Sequence, residues 1–510
     1  MEDYYLPNFI FEFPSEILQR ILFFAIIFRL KYDKDNYDEE SVRGTSRVLN
    51  LRLVCKGFDA LFQTALFETR LMDDIRPYGT SLARAGTLEY WPLTRKRKAA
   101  THKLWHSYLV YRVLNEVDPN VKRYVEVRSI ASAICSENGA DLLETIKELC
   151  WLGLPQQLGN AWPVPHRRVL RGPDALTPRS RPLKNNSPDV SLLSAAAYLG
   201  CVSLTRRLLE RGNDPTEHDM LFPCPMEAAA LAGQVATLQL CQANVPSRQD
   251  KYLFYHPMLE EVPRIKGTFP FAIAGAASRG DMDVLDIALR LDSTAEDMPA
   301  HRGVSFEILR FAKTWEVFLK LLSFLPPDFL ERREKSTEPH GSELLLHFAD
   351  VGNFEIAKGL LDAGAHARGH EWQLGMHPLW IAARQGYEDI VDLLLEYGAD
   401  VNRSTVLYCS TVGAAVRSGN TSLVKNLLSK GGNFKGEAPC GALVVENVPM
   451  LELLLDHLDA GANISMVLIR ELLDLASERH LFYMYWFVIE YTMDHVDVEF
   501  VFSDSEDEDL

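Results

Sequence analysis

Residues able to do chemistry are plentiful in this chain, but few stand at a spacing that chemistry requires. Eight cysteines are present, at 55, 135, 150, 201, 224, 241, 409 and 440. None forms a C-x-x-C pair, and none stands at zinc-ligand spacing from a histidine. Most fall in apolar helical patterns, the setting of buried, reduced thiols. His370-Glu371 begins like a zinc-binding helix, yet no second histidine follows at the spacing that would put both imidazoles on one face. No phosphate-cradling G-x-x-x-x-G-K-[ST], no G-x-G-x-x-G and no G-x-S-x-G elbow occurs. The reading is a non-enzyme that needs no metal and no cofactor.

Charge and length narrow the class further. The 510 residues carry a formal charge of −17, which repels phosphate backbones and argues against nucleic acid as a partner. Residues 494–510 hold eight of the acids and no Lys or Arg, so they read as an acidic tail kept disordered by self-repulsion. Ser503 and Ser505 lie among those acids, in a setting that acidophilic kinases favour; a plain solubilising tail is the other reading. The apolar stretch Phe9 to Leu30 is broken by Glu12, Glu16, Gln19 and Arg20, and its longest clean run, Ile21 to Phe28, is far short of the roughly 20 residues that span a bilayer. The N-terminus lacks the basic start of a secretory signal. The expectation is a soluble protein of the cytoplasm, or of the nucleus if the run Arg95-Lys96-Arg97-Lys98 acts as an import signal rather than as a solvated helix turn.

The elements that must position any functional group repeat. Glycines at 352, 386 and 419 are separated by 34 and 33 residues, and Gly200 and Gly233 by 33. Gly200, Gly352, Gly386 and Gly419 each have a second glycine twelve residues on. Compact residues sit three and four places before the first glycine, as in Ala196-Ala197, Ala229-Ala230 and Ala382-Ala383. Leu or Ile follows four places after it, at Leu204, Ile356, Ile390 and Leu423, and a Leu pair follows at eight and nine. Leu or Ile at i, i+4 and i+5 makes one apolar helix face. Alanines let a preceding short helix approach its neighbours, the first glycine separates two helices and the second ends the outer one. Each unit is a helical hairpin of about 33 residues that cannot bury its apolar face alone and must stack on copies of itself.

The clearest unit reads His377-Pro378-Leu379-Trp380-Ile381-Ala382-Ala383-Arg384-Gln385-Gly386, then Ile390 to Leu395, then Gly398-Ala399-Asp400-Val401-Asn402. It resembles the ankyrin repeat, T-P-L-H-x-A-A-x-x-G, V-x-L-L-L and G-A-D-V-N. His377 and Trp380 replace the usual Thr and His, which implies weaker hydrogen bonds between neighbouring hairpins. Units at 192–214, 225–241, 271–289, 344–367, 408–431 and 442–456 keep much of the pattern; 306–325, 473–490 and 130–152 are degenerate. About seven to ten units are expected over residues 127–493, interrupted by insertions, among them the Pro-rich basic stretch 162–188. The resemblance places Trp372, between Gly364 and Pro378, in a finger that projects towards a ligand. It is the candidate client-binding residue, and packing on the next finger is the alternative.

Residues 1–72 do not follow the repeat. Phe13-Pro14-Ser15-Glu16-Ile17-Leu18 with Ile21-Leu22, followed by Leu51-Arg52-Leu53-Val54-Cys55-Lys56-Gly57-Phe58, resembles an F-box, with an acidic insertion between the halves. The resemblance implies docking on a Skp-family adaptor, and through it a cullin, by Pro14, Ile17, Leu18, Ile21, Leu22, Leu53, Val54 and Phe58. An amphipathic cap on the repeats is the other reading. The expected architecture is all-α: an N-terminal helical F-box-like domain (1–72), a helical linker (73–126), an ankyrin-repeat solenoid (127–493) and an acidic tail (494–510). The client protein is unknown, and neither a membrane nor nucleic acid is expected as a partner.

Overall fold

A computed structural model describes Arg20 and residues 56–70, 95–118, 121–157, 188–217, 221–245, 270–289, 306–331, 339–368, 377–403, 410–460, 464–479 and 481–495. The described residues are helical, with no strand among them. Pro14, Ile17, Leu18, Ile21, Leu22, Leu53, Val54 and Trp372 lie outside them, as do residues 246–269 and the stretch 162–188 except for Pro188.

The hairpin at the centre shows how the pattern folds. Helix α15 (Pro378–Gln385) starts with its proline at the first position, where no hydrogen bond is lost, and ends at Gly386 with φ 78°. Helix α16 (Glu388–Glu396) opens with Glu388 and Asp389 at the positive end of its dipole and buries Ile390, Val391, Leu393 and Leu394. Each such side chain is worth about 1.5–3 kcal/mol when taken from water. The Ala399 N–H donates to the Leu394 carbonyl at 3.0 Å and closes the outer helix.

Copies of this unit stack in chain order. They are α3 (Lys122–Asn138) with α4 (Leu142–Gln157), α5 (Pro188–Tyr198) with α6 (Val202–Glu210), α7 (Pro225–Ala232) with α8 (Val235–Ala243), and α9 (Pro270–Arg279) with α10 (Met282–Leu289). Next come α11 (Phe306–Leu309) with α12 (Trp315–Leu322), α13 (His340–Val351) with α14 (Phe354–Asp362), and the central α15 and α16. The series closes with α17 (Thr411–Ser418) and α18 (Thr421–Ser429), α19 (Glu437–Val444) and α20 (Val448–Ala460), and α21 (Met466–Glu478) and α22 (Phe482–His495). Inner helices pack on inner helices, α5 on α7, α7 on α9, and α13 on α15, α17 and α19 in turn. Their Ala pairs, such as Ala229-Ala230 and Ala382-Ala383, are fully buried and permit this approach.

Ahead of the stack, α1 (Lys56–Glu68) buries Phe62, Ala65, Leu66 and Phe67. The Phe67 ring meets Tyr108 of α2 (Arg95–Asn115) with centroids 5.3 Å apart. Helix α2 packs in turn on α3 and α4. The stretch expected as a linker therefore contributes a helix to the packed body, and Phe62 and Tyr491 belong to one continuous core. A buried ion pair fastens this junction: Arg112 donates to Glu116, and its guanidinium lies 4.5 Å from the Tyr124 ring centroid. The Asp118 N–H and then the Arg112 donor hold the Glu116 carboxyl down to about 2.

Candidate functional site

Two rows of hydrogen bonds run across hairpin boundaries and set the surface on which a ligand would sit. One row joins the turns between inner and outer helices. The Lys313 N–H donates to the Ala277 carbonyl at 3.1 Å, and Asn353 Nδ2 donates to the Lys313 carbonyl at 2.9 Å. The other row joins the fingers that link one hairpin to the next. Arg368 Nε donates to the Gly398 carbonyl at 3.1 Å, and Asn402 Nδ2 to the Gly431 carbonyl at 2.9 Å. Asn402 Oδ1 also accepts from the Asn433 N–H at 2.7 Å. Among the described residues these bonds tie the 364–368 stretch to Gly398, and Asn402 to Gly431 and Asn433.

His377 belongs to this bracing, which corrects the sequence expectation. Its Nδ1 accepts the Trp380 N–H at 3.3 Å, capping α15, and its Nε2 donates to the Arg403 carbonyl at 3.1 Å in the next finger. The imidazole has one nitrogen for each task, so His377 supplies both the cap and the link to the next finger. The ring is 2% exposed. Loss of water pushes its pKa down to about 4, against the Arg403 carbonyl, which favours the charged form. Trp380 is likewise structural: it is fully buried with Ile381 and Ala414, against Leu346, beneath the Arg384 guanidinium.

The turn row borders a cleft of about 470 Å³, lined by Ser278, Arg310, Lys313, His347, Phe354 and Glu355 among others. Arg310 pairs with Glu343 at 3.4 Å and lies 4.8 Å from the Phe306 ring centroid. His347 Nε2 donates to the Arg310 carbonyl at 3.1 Å. Lys313, Phe354 and Glu355 stay exposed at the rim. The sequence did not single out these residues, because they fall in the degenerate unit 306–325 and its neighbour; a His within an apolar helical run was the one available signal. Glu227, in the better-kept unit 225–241, was missed as well. It is an acid in the Ala-rich α7, and burial pushes its carboxyl up to about 8.

Among the described residues no group of three or more His, Cys, Asp or Glu could hold a metal ion, and no helix is long and apolar enough to cross a membrane. Cys150, Cys224 and Cys241 are buried, whereas Cys135, Cys201 and Cys440 are only partly so. Burial pushes the Cys150 and Cys241 thiols up to about 12 and that of Cys440 to about 11, which leaves them protonated and weakly nucleophilic. Cys55 and Cys409 lie outside the described residues, and of the adaptor-docking set only the backbone of Phe58, in α1, falls within them.

Stacked helical hairpins with braced fingers define a repeat solenoid. Residues 316–405 match the family model "Ankyrin repeats (3 copies)". The chain is 35% identical over 94 residues to the inactive serine/threonine-protein kinase TEX14 of Bos taurus, a match covering 18% of this chain and 6% of that protein. It is 25% identical over 262 residues to the ankyrin repeat and KH domain-containing protein mask-1 of Caenorhabditis elegans, covering 47% of this chain and 9% of that protein. The chain thus spans less than a tenth of the length of these curated relatives. The crystal structure of the human ASB11 ankyrin repeat domain is similar with 21% identity and a TM-score of 0.31, over 48% of this chain and 99% of that one. The chain carries ankyrin repeats, a module of protein–protein interaction.

Proposed function

We propose that this chain is a non-catalytic adaptor, the substrate-recognition subunit of a Skp–cullin–F-box ubiquitin ligase. The observation that carries the proposal is the ordered pair of blocks, Phe13 to Leu22 and then Leu51 to Phe58, ahead of a repeat array. In this reading Pro14, Ile17, Leu18, Ile21, Leu22, Leu53, Val54 and Phe58 dock on a Skp-family adaptor, which joins the chain to a cullin. The repeats hold the client, with Trp372 as an aromatic anchor in its finger. The mechanism is positioning: transfer chemistry takes place on other subunits, and this chain raises the local concentration of the client beside them.

One observation favours a second reading, a ligase-independent scaffold. Helix α1 buries Phe62, Ala65, Leu66 and Phe67 and packs on α2, as a cap on the array would. Co-purification with a Skp-family adaptor separates the two. The intact chain should retain the adaptor, and the Leu18→Asp, Leu22→Asp variant should lose it, because a charge on an apolar docking face costs several kcal/mol of desolvation. An intact, folded chain that ignores the adaptor would sink the ligase reading and leave the scaffold.

A further inference from the structure

The last hairpin departs from what the end of a repeat array needs. Terminal repeats carry a polar outer face, because no further copy stacks on them. Helix α21 meets that need: Arg470, Glu471, Asp474 and Glu478 are exposed, and its exposed apolar residues, Met466 and Val467, are confined to the first turn. Helix α22 does not. Tyr483, Trp486, Glu490, Met493 and Asp494 recur at i, i+3, i+7, i+10 and i+11, which puts them on one side of the helix. Tyr483, Trp486 and Met493 are 75%, 66% and 56% exposed. Met484, Val488, Tyr491 and Thr492, on the opposite side, are buried.

We propose that this side of α22 is a docking site for a basic amphipathic helix of a partner protein. Shape argues for a helix. Outer helices of the array lie side by side, α14 against α16 and α20 against α22, and the exposed side of α22 is the berth that a next outer helix would take. Charge argues for a basic one. Glu471, Asp474, Glu478, Glu490 and Asp494 are exposed on this hairpin, and Arg470 is its one exposed Arg or Lys among the described residues. Lys and Arg of the incoming helix would pair with these carboxylates and lie over the Trp486 ring, whose π face attracts cations. Its apolar stripe would cover Tyr483, Trp486 and Met493. An aromatic centre within a charged rim is the anatomy of a protein interface, and Trp and Tyr are the residues that most often dominate binding. The same charges disfavour other occupants. A second copy of the chain would set one acidic rim against another, and a phosphate backbone or an anionic bilayer would be repelled. The adaptor-docking reading concerns residues 14–58, so this site stands or falls without it.

Titration of a fluorescent peptide with the full 510-residue chain tests the site. The probe is a peptide of roughly 18 residues, long enough to hold a helix, built from Leu and Lys with its leucines along one stripe. A Leu and Glu peptide of the same pattern is its counterpart. Fluorescence anisotropy should show that the intact chain binds the Lys peptide and ignores the Glu peptide. Tyr483→Ala with Trp486→Ala should weaken binding about tenfold or more, since both truncate interface aromatics. Glu490→Lys with Asp494→Lys should weaken the Lys peptide and tighten the Glu peptide, an exchange that misfolding cannot produce. Glu210→Lys with Glu217→Lys, at exposed positions in and after α6, alters the net charge equally and should leave both titrations unchanged. The proposal is overturned by an intact chain with no preference for the Lys peptide, or by an unchanged affinity in the Tyr483→Ala, Trp486→Ala variant. Equal changes in the two charge-reversal variants also overturn it, because net charge alone would then be the attraction. So does sedimentation of the intact chain as a dimer and of the Tyr483→Ala, Trp486→Ala variant as a monomer, because a second copy would then be the occupant.

Discussion

His377 and Arg403 are joined across a hairpin boundary, the imidazole Nε2–H donating to the main-chain carbonyl at 3.1 Å. This bond requires a neutral ring, because Nδ1 is simultaneously the acceptor for the Trp380 N–H. Burial lowers the folded-state pKa from 6.5 to about 4, so the unfolded chain takes up a proton first as the pH falls. Stability from this residue is complete above pH 6.5, declines below it and has gone by about pH 4. The full loss corresponds to about 3 kcal/mol. Hydrogen exchange at the Trp380 amide between pH 7.5 and 4 should show the decline. His377→Thr keeps a cap acceptor, and should flatten the pH dependence while costing about 1 kcal/mol at neutral pH for the lost link to Arg403.

Asn402 ties its finger to the next through both ends of one amide, at 2.9 Å to the Gly431 carbonyl and 2.7 Å from the Asn433 N–H. Asn402→Ala removes both bonds and should destabilise the array by about 1–2 kcal/mol. Asn402→Asp keeps the acceptor and loses only the donor, so its cost should be intermediate. Urea midpoints of the three proteins give the order. Equal midpoints for Asn402→Ala and the parent would show that the finger row adds nothing to stability.

These two residues also show what was legible in the sequence. Asn402 closes a motif whose glycines and Leu pairs recur at nearly fixed spacing, and each repeated position has one physical task, a turn or a buried face. Periodicity therefore disclosed the hairpins, their order and the fully buried alanines. His377 was read as a weakened link because its role depends on two distant main-chain groups, Trp380 and Arg403, that spacing along the chain cannot reveal. The cleft around Arg310 and His347 was hidden for a related reason. It forms where α11, only four residues long, departs from the repeat, and a pattern is silent where it breaks. The adaptor-docking side chains and Trp372 rest on resemblance and lie outside the described residues, apart from the backbone of Phe58.

Gly352 and Gly431 have nearly the same backbone, φ 79° and 81°, but different surroundings. A Cβ at Gly352 would collide with the Tyr387 ring, whereas one at Gly431 meets nothing within 4 Å. Gly431→Ala should cost only the left-handed backbone penalty of about 1 kcal/mol. Gly352→Ala should cost a further 1–3 kcal/mol, roughly, from overpacking. A Tyr387→Ala background removes the colliding ring, so the double-mutant cycle from denaturant titrations should return most of that excess.

Glu446 holds φ 55° in the turn between α19 and α20, where the corresponding turns of other hairpins have Gly352, Gly386 and Gly419. The turn is otherwise the same. The Glu446 N–H donates to the Leu443 carbonyl at 3.0 Å and the Asn447 N–H to the Ala442 carbonyl at 3.1 Å, matching the Gly386 and Tyr387 bonds to Ala383 and Ala382. Packing of Leu451, Leu454 and Leu455, all fully buried, holds the turn in place against the Cβ clash. Glu446→Gly should then stabilise this hairpin by up to about 1 kcal/mol, offset in part by the greater freedom of glycine in the unfolded chain. Glu446→Asn, which tolerates the left-handed region better than Glu, should fall between them. The measurement is hydrogen exchange in α19 and α20 alongside the urea midpoint. A lower midpoint for Glu446→Gly would mean that the contacts of the Glu446 side chain and the greater freedom of glycine in the unfolded chain together outweigh the backbone strain.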